Sequence, residues 1–411
     1  MKIAVWILSD YKQQMGGGFA LYDKFVQMID SFQFSEELEV CFVGHNPASN
    51  YNFKKKYIQL NYFHSLTENR TGKPSALSAF VHNKLARYSH RIPVLNKRER
   101  KQLDANDVDL IFYPVQGFRK IPDFPFVVSN WDIGHKASYA LPELGMNYSF
   151  DYRDKWYSKG IFKALMVFAE SESGREELLY YTRLNPQRVQ IIPLFPGGVV
   201  NIKTDKSITV SKIDKLSLQA GKYFFYPAQF WAHKNHYNLL LAFKKLQTDF
   251  PDLKLVLTGS DKGNKEYIRE VVSKLNLTNN VLFPGFVDNE TMVGFYSHAS
   301  AMIMPSFLGP TNMPLLEARE LNCPVLCSNL PGHIEMMGAG ALYFNPADHI
   351  EMYEQMKKIL DIQFKEDLLK KAADKLSTSF FTPEIALKQL DLHLKNLIPV
   401  RKSWGKSSKI F

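Results

Sequence analysis

Cysteine is scarce in this chain: Cys41, Cys323 and Cys327 are the only three among 411 residues. That is too few for a disulfide framework. Cys323 and Cys327, with three residues between them and no second pair, read as buried apolar side chains rather than metal ligands. The eleven histidines include no H-x-x-x-H pair with a third ligand nearby, which argues against zinc chemistry. Long hydrophobic runs are also missing. None reaches membrane-spanning length, and Ile3 to Leu8 is too short an apolar run before Asp10 to serve as a signal peptide. A cytoplasmic location is therefore expected. There is no internal repeat, no low-complexity segment and no GxGxxG dinucleotide fingerprint.

What is present suits an enzyme of two or three domains. Hydrophobic residues make up 45% of the chain and aromatic ones 13%, enough for sizeable cores. Charge is unevenly spread. Between Tyr51 and Leu103 twelve Lys and Arg face only Glu68 and Glu99, so this window alone matches the net charge of +10 of the whole chain. It contains Lys54-Lys55-Lys56 and the run Asn83 to Leu103. Such a patch attracts polyanions. No recognition motif supports nucleic acid. An anionic membrane surface is the better candidate, at about 1 kcal/mol per basic residue.

The stretch Ala301 to Val325, AMIMPSFLGPTNMPLLEARELNCPV, carries the most chemistry. A short apolar strand (Ala301 to Met304) runs into a loop with Pro305, Gly309 and Pro310, and then into a helix with Pro314 in its first turn, where a missing N–H costs nothing. Free amides and the positive end of the helix dipole make this a ready anion site. Glu317, one turn in, can accept hydrogen bonds from sugar hydroxyls. Tyr223 to His236, YFFYPAQFWAHKNH, has a similar plan: a strand, a polar elbow, then a helix expected over Tyr237 to Leu246. Lys234 in that elbow is a credible phosphate binder.

These two segments resemble the nucleotide-sugar signature of family 4 of the retaining glycosyltransferases (glycosyl transferases group 1), roughly P-S-x-x-E-G-x-G-x-P-x-x-E-A. Pro305, Ser306, Pro314, Glu317 and Ala318 fit that pattern, while Gly309 stands in place of its first glutamate. In the elbow, Lys234 matches the family lysine. Gln229 stands where an arginine is usual, with His233 as the nearest substitute. Further similarities follow in the family's order: Leu253 to Gly259, whose closing glycine permits close ligand approach, Val281 to Val287, and Gly338 to Pro346.

The resemblance implies an α/β fold of GT-B type, two Rossmann-like doubly wound domains facing across a cleft. The expected division is 1–200 for an acceptor domain and 201–382 for a nucleotide-sugar domain, with a final helix (Pro383 to Leu397, in 383–411) returning to the first. In the first domain Gly17 and Gly18 lie in a glycine loop, Met15 to Phe19, before a helix expected from Ala20. The polar cluster Asn130 to His135 follows a strand, Phe124 to Ser129. His135 is the candidate for the sugar pocket and Asp132 its companion. Val167 to Leu178 resembles a further family segment, with Ser171 and Ser173 as N-cap types. Asp107-Val108-Asp109 imitates a metal-binding D-x-D but reads as a loop before the strand Leu110 to Tyr113, and no metal site is expected.

The resemblance thus points to a retaining, metal-independent hexosyl or deoxyhexosyl transferase acting in surface polysaccharide synthesis. It would need no cofactor beyond its donor, a nucleoside diphosphate sugar. Its acceptor would be a glycan or a lipid-pyrophosphate-linked glycan. His135, Lys234 and Glu317 are the expected catalytic set. Gly17, Gly18, Gln229, His233, Gly259, Gly309, Pro310, Thr311, Asn312 and Met313 are the expected donor contacts. A sugar-nucleotide 2-epimerase and an inactive lipid- or polyanion-binding module on the same fold are the alternatives.

Overall fold

The computed structural model describes residues 1–8, 17–45, 51–60, 97–116, 124–138, 141–145 and 149–404. Of the basic window, 61–96 lies outside the described residues, as do Met15 and Gly16 of the glycine loop.

Two parallel sheets organise the chain. The first is built from β1 (Lys2–Trp6), β2 (Glu39–Gly44), β3 (Tyr57–Gln59), β4 (Leu110–Tyr113), β5 (Phe126–Asn130), β6 (Met166–Ala169) and β7 (Val189–Ile191), in the order β3-β2-β1-β4-β5-β6-β7. The second has β8 (Tyr223–Pro227), β9 (Lys254–Thr258), β10 (Val281–Gly285), β11 (Ala301–Met304), β12 (Val325–Ser328) and β13 (Leu342–Phe344), in the order β10-β9-β8-β11-β12-β13. Strands β4, β5, β6, β11 and β12 are buried at every position, as expected of parallel strands covered on both faces. One apolar cluster fills one face of the first sheet and continues through the second domain, and a separate one fills the opposite face of the first sheet.

Each sheet reverses its winding once, between β1 and β4 and between β8 and β11. Ligands of open α/β sheets bind outside the carboxyl ends of the strands at such switch points. The loops leaving β8 and β11 are therefore the places to examine in the second domain. They are tied together by Asn235, which takes a left-handed backbone (φ 58°) and donates from Nδ2 to the carbonyls of Pro305 (2.9 Å) and Pro346 (2.7 Å).

Among the helices, α1 (Gly17–Ser31), α2 (Gly134–Ala137), α3 (Pro142–Gly145) and α4 (Glu172–Thr182) belong to the first half. In the second are α5 (His236–Asp249), α6 (Met313–Glu320), α7 (Pro331–Met337) and α8 (Pro383–Asn396). Helix α1 starts three residues earlier than expected because Gly17 and Gly18 join its first turn rather than the loop. Ser171 caps α4, accepting from the Gly174 amide at 2.9 Å.

Helix α8 packs on the first sheet's side of the molecule. Asp391 accepts from the Ser35 amide (2.9 Å) and hydroxyl (2.6 Å), and His393 stacks on Phe168. Beyond it, Arg401 donates to the Asp109 carbonyl (3.1 Å) and pairs with its carboxylate (3.2 Å). Asp109 also accepts from the Lys2 amide (2.9 Å), so its carboxylate fastens chain segments together. Among the described residues no helix is long and apolar enough to cross a membrane.

Candidate active site

A cleft of about 430 Å³ opens between the two domains. The first domain lines it with Gly18, Trp131, Asp132, Glu143, Arg153 and Glu170. The second contributes Gln229, Trp231, His233 and Lys234 from the loop after β8, and Leu308, Gly309, Thr311, Asn312 and Met313 from the loop after β11.

Lys234 is the cationic centre. Burial lowers its pKa to about 8, against the opposing charges of Asp132 and Glu143. Its Nζ donates to Asn312 Oδ1 at 2.7 Å. Asn312 in turn lies 2.8 Å from His333 Nε2 through its Nδ2, and His333 Nδ1 lies 3.0 Å from the Ser328 carbonyl. A carbonyl can only accept, so the His333 proton is on Nδ1 and Nε2 accepts from Asn312. Burial also holds His333 neutral, with a pKa lowered to about 4. This chain of bonds fixes which way the Asn312 amide faces. Asn312 is the N-cap residue of α6 yet makes no side-chain cap bond there. Among the described residues, the amides of Gly309 and Thr311 donate to no protein acceptor. An ammonium, the Gly309–Thr311 loop and a helix N-terminus thus line the same part of the cleft, where an anion can be held.

Gly309 adopts φ 115°, which a side chain would strain. A glutamate could occupy this position only with strain or a change of the loop backbone.

Opposite this loop, Glu143 crosses from α3 and accepts from the His233 amide (2.9 Å) and Nδ1 (2.5 Å). Burial would raise its carboxyl, but the His233 bonds outweigh that and keep it below its ordinary value. Asp132 is gripped by Arg153 and accepts from the Gly134 amide at 3.0 Å. The Tyr157 hydroxyl, within reach of Asn130 Oδ1 (2.6 Å) and the Asp132 carbonyl (2.5 Å), steadies the same turn.

Several expected site residues are placed elsewhere. His135 is fully buried and does not line the cleft. Its ring packs on Phe150 and Tyr157, with Asp154 3.7 Å from Nε2, and burial pushes its pKa down to about 4. The turn of α2 points it inward, where an aromatic platform holds it. Glu317 is also buried beneath the wall: it accepts from the Tyr296 hydroxyl at 2.8 Å and from the Gly197 amide. Burial raises its carboxyl, with those bonds and the Lys24 charge opposing. Gly259 is off the cleft wall, and a Cβ there would meet the Ala228 carbonyl at 2.3 Å, so what it admits is the neighbouring backbone. Pro310 packs its carbonyl against α7 at Gly332. Gly17 opens α1, and Gly18 reaches the cleft. Gln229 bridges Ser260 (3.0 Å) and the Trp231 indole (3.1 Å).

The sequence reasoning missed Glu143, Glu170, Arg153 and His333. Only Glu170 carried a local signal, an acid immediately following an apolar strand. No group of three or more His, Cys, Asp or Glu among the described residues could hold a metal ion.

Comparison with known proteins bears on this geometry. Residues 211–376 match the family model of the glycosyl transferases group 1. That match lies within the second domain. The matched residues include both cleft loops, after β8 and after β11. The chain is 29% identical over 211 residues to the O-antigen chain mannosyltransferase RfbU of Salmonella typhimurium, covering 51% of this chain and 58% of that protein. It is 22% identical over 214 residues to the O-antigen chain mannosyltransferase B of Escherichia coli, covering 51% and 55%. The matched stretch thus spans little more than half the length of these curated relatives. Among solved structures, HepE from Anabaena in complex with UDP and glucose superposes with a TM-score of 0.66 at 16% identity, covering 97% of this chain and all of that one. The two facing parallel-sheet domains are the GT-B architecture.

Proposed function

We propose that this protein is a retaining glycosyltransferase that moves a hexosyl unit, mannose in the first instance, from a nucleoside diphosphate sugar to a glycan or lipid-pyrophosphate-linked acceptor. The observation that carries the reading is Lys234. It is a half-buried ammonium in the interdomain cleft, held by the residue that opens α6 and flanked by the open amides of Gly309 and Thr311. The O-antigen mannosyltransferases among its relatives support the choice of sugar and of surface polysaccharide synthesis.

In this reading the sugar–diphosphate bond breaks while the acceptor oxygen bonds to the same face of the anomeric carbon. The acceptor proton passes to the leaving phosphate oxygen. Lys234 and the loop amides stabilise the departing charge, commonly a large term in catalysis, and no metal takes part. Asp132 and Glu143, carboxylates on the opposite wall, would bind sugar hydroxyls with the oxygens their protein partners leave open. Glu317 shapes the site from beneath, through the first turns of α6, and reaches a ribose only if its Tyr296 bond opens. His135 supports the Asp132 turn from behind. The basic window 51–103 would hold the acceptor domain at an anionic membrane face.

A thermal-shift screen against GDP, UDP, dTDP, ADP and their sugars tests the reading. A ligand at 100 times its dissociation constant adds about 2.7 kcal/mol. Stabilisation by one base is expected. No response to any of them would sink the proposal and favour an inactive polyanion-binding module.

A further inference from the structure

Glu170 follows β6 directly and lines the cleft, yet it is only 4% exposed. Its carboxyl folds over the first turn of α4, where Oε1 accepts from the Ser171 hydroxyl at 3.2 Å. A Cβ on Gly174 would lie 2.3 Å from Oε1, so only glycine at that helix position leaves the carboxyl room. Its other oxygen, Oε2, has no hydrogen-bond partner among the described residues. Burial raises the carboxyl well above its ordinary value; hydrogen bonds from its own amide and from Ser171 oppose this, and the charges of Asp132 and Glu177 add to it. Glu177 is itself raised to about 7, by burial and then by Asp132. Burial thus favours the protonated form of Glu170. With Oε1 already accepting, the orphan Oε2 carries the hydroxyl.

Beside Glu170 lies a recess of about 20 Å³, walled by Phe25, Phe168, Ile192 and Phe195, with Ser129 as its other polar residue. It shares Leu21, Trp131, Glu170 and Leu194 with the cleft. That is room for one water-sized group and no more. Leaving a buried polar group unpaired is costly, so Oε2 calls for a partner from outside the chain, either a water or the substrate hydroxyl that displaces it.

We infer that Glu170 is a specificity residue on the first domain's wall, pairing its orphan oxygen with one hydroxyl of the acceptor sugar at the mouth of this recess. The inference rests on the glycosyl-transfer reading. It goes further by assigning acceptor discrimination to a neutral carboxyl and a pocket that fits a single hydroxyl. An epimer that turns this hydroxyl the other way leaves Glu170 unpaired and binds more weakly.

The test uses full-length protein saturated with whichever nucleoside diphosphate stabilises it. Methyl α-mannopyranoside, methyl α-glucopyranoside and methyl α-galactopyranoside serve as probes, with affinities measured by titration. In Glu170→Leu the best-bound probe should weaken about tenfold and the preference among epimers should shrink. Glu170→Gln keeps a neutral donor and acceptor and should stay within about threefold of the wild type. Nucleotide affinity should be unchanged in both. The infrared stretch of a protonated carboxyl should shift when the probe is added to wild-type protein, and should be missing from Glu170→Gln. That readout holds even if the leucine variant does not fold. Unchanged sugar affinity in Glu170→Leu, a glutamine variant as weak as the leucine one, failure of the wild type to bind any probe, or no infrared shift would each overturn the inference. Failure of the broader reading shows separately, as wild-type protein that no nucleotide stabilises.

Discussion

Burial pulls the Lys234 ammonium from an ordinary 10.5 to about 8, while Asp132 and Glu143 pull the other way. Two opposite pH trends follow. Between about pH 8 and 10.5 the unfolded chain holds a proton that the folded site has released, so this group's contribution to stability rises with pH. Over the same range the charge available to a phosphate disappears. Nucleotide affinity should therefore fall from about pH 8 upward while the unliganded protein loses nothing on this residue's account. Titrations with GDP beside denaturant melts would separate the two, and affinity that holds to pH 10 would remove Lys234 from the site. Lys234→Ala should lower kcat about a hundredfold or more if the amine stabilises departing charge. Turnover near the wild-type value would contradict that role. Gly309→Glu, which puts back the motif letter, should not raise turnover. At φ 115° it should cost about 1–3 kcal/mol in a melt.

At the level of elements, the loops after β8 and β11 act through a side-chain chain rather than through backbone alone. Asn312 gives up its capping bond to α6 and spans Lys234 and His333 instead. His333→Leu should free the amide to rotate, raising the donor KM with a smaller effect on kcat. His333→Gln, which can still accept from Asn312, should recover most of the loss. If both variants behave alike, His333 is packing rather than positioning.

These loops were legible in the sequence because strand, elbow and helix follow one another within a few residues, and Lys234, Thr311 and Asn312 lie at fixed offsets from the strand ends. The turn bearing Asp132 was legible for the same reason. The inward rotation of His135 was not, since it depends on Tyr157 and Phe150, placed by later segments. Glu143 escaped notice because its partner His233 is 90 residues away, in the other domain. No spacing rule reports a contact of that kind. Glu317 was found by its motif position, but its burial comes from Tyr296 and Gly197, which the motif does not contain.

Over the whole molecule, carboxylates cross the domain boundary in both directions. Glu143 reaches into the second domain, and Glu335 of α7 reaches back to the start of α4. There it accepts from the amides of Glu172 (2.9 Å) and Ser173 (2.8 Å) and from the Ser173 hydroxyl (2.8 Å). One domain thus caps a helix of the other. Glu335→Ala should remove about 1 kcal/mol of that closure, the usual worth of a helix cap. Small-angle scattering should then record a larger radius of gyration for the variant, contracting again with bound nucleotide sugar. An unchanged radius would mean that the domains are held by packing alone.

The return of α8 to the first domain has a consequence for the order in which the chain can mature. The ribosome finishes the first sheet early, but the helix that covers Phe168 and the arginine that grips Asp109 are made only after the entire second sheet. During synthesis the earlier domain must wait, partly uncovered, while the later one can already close on itself. The segment that seals the first sheet is translated only after the whole of the second.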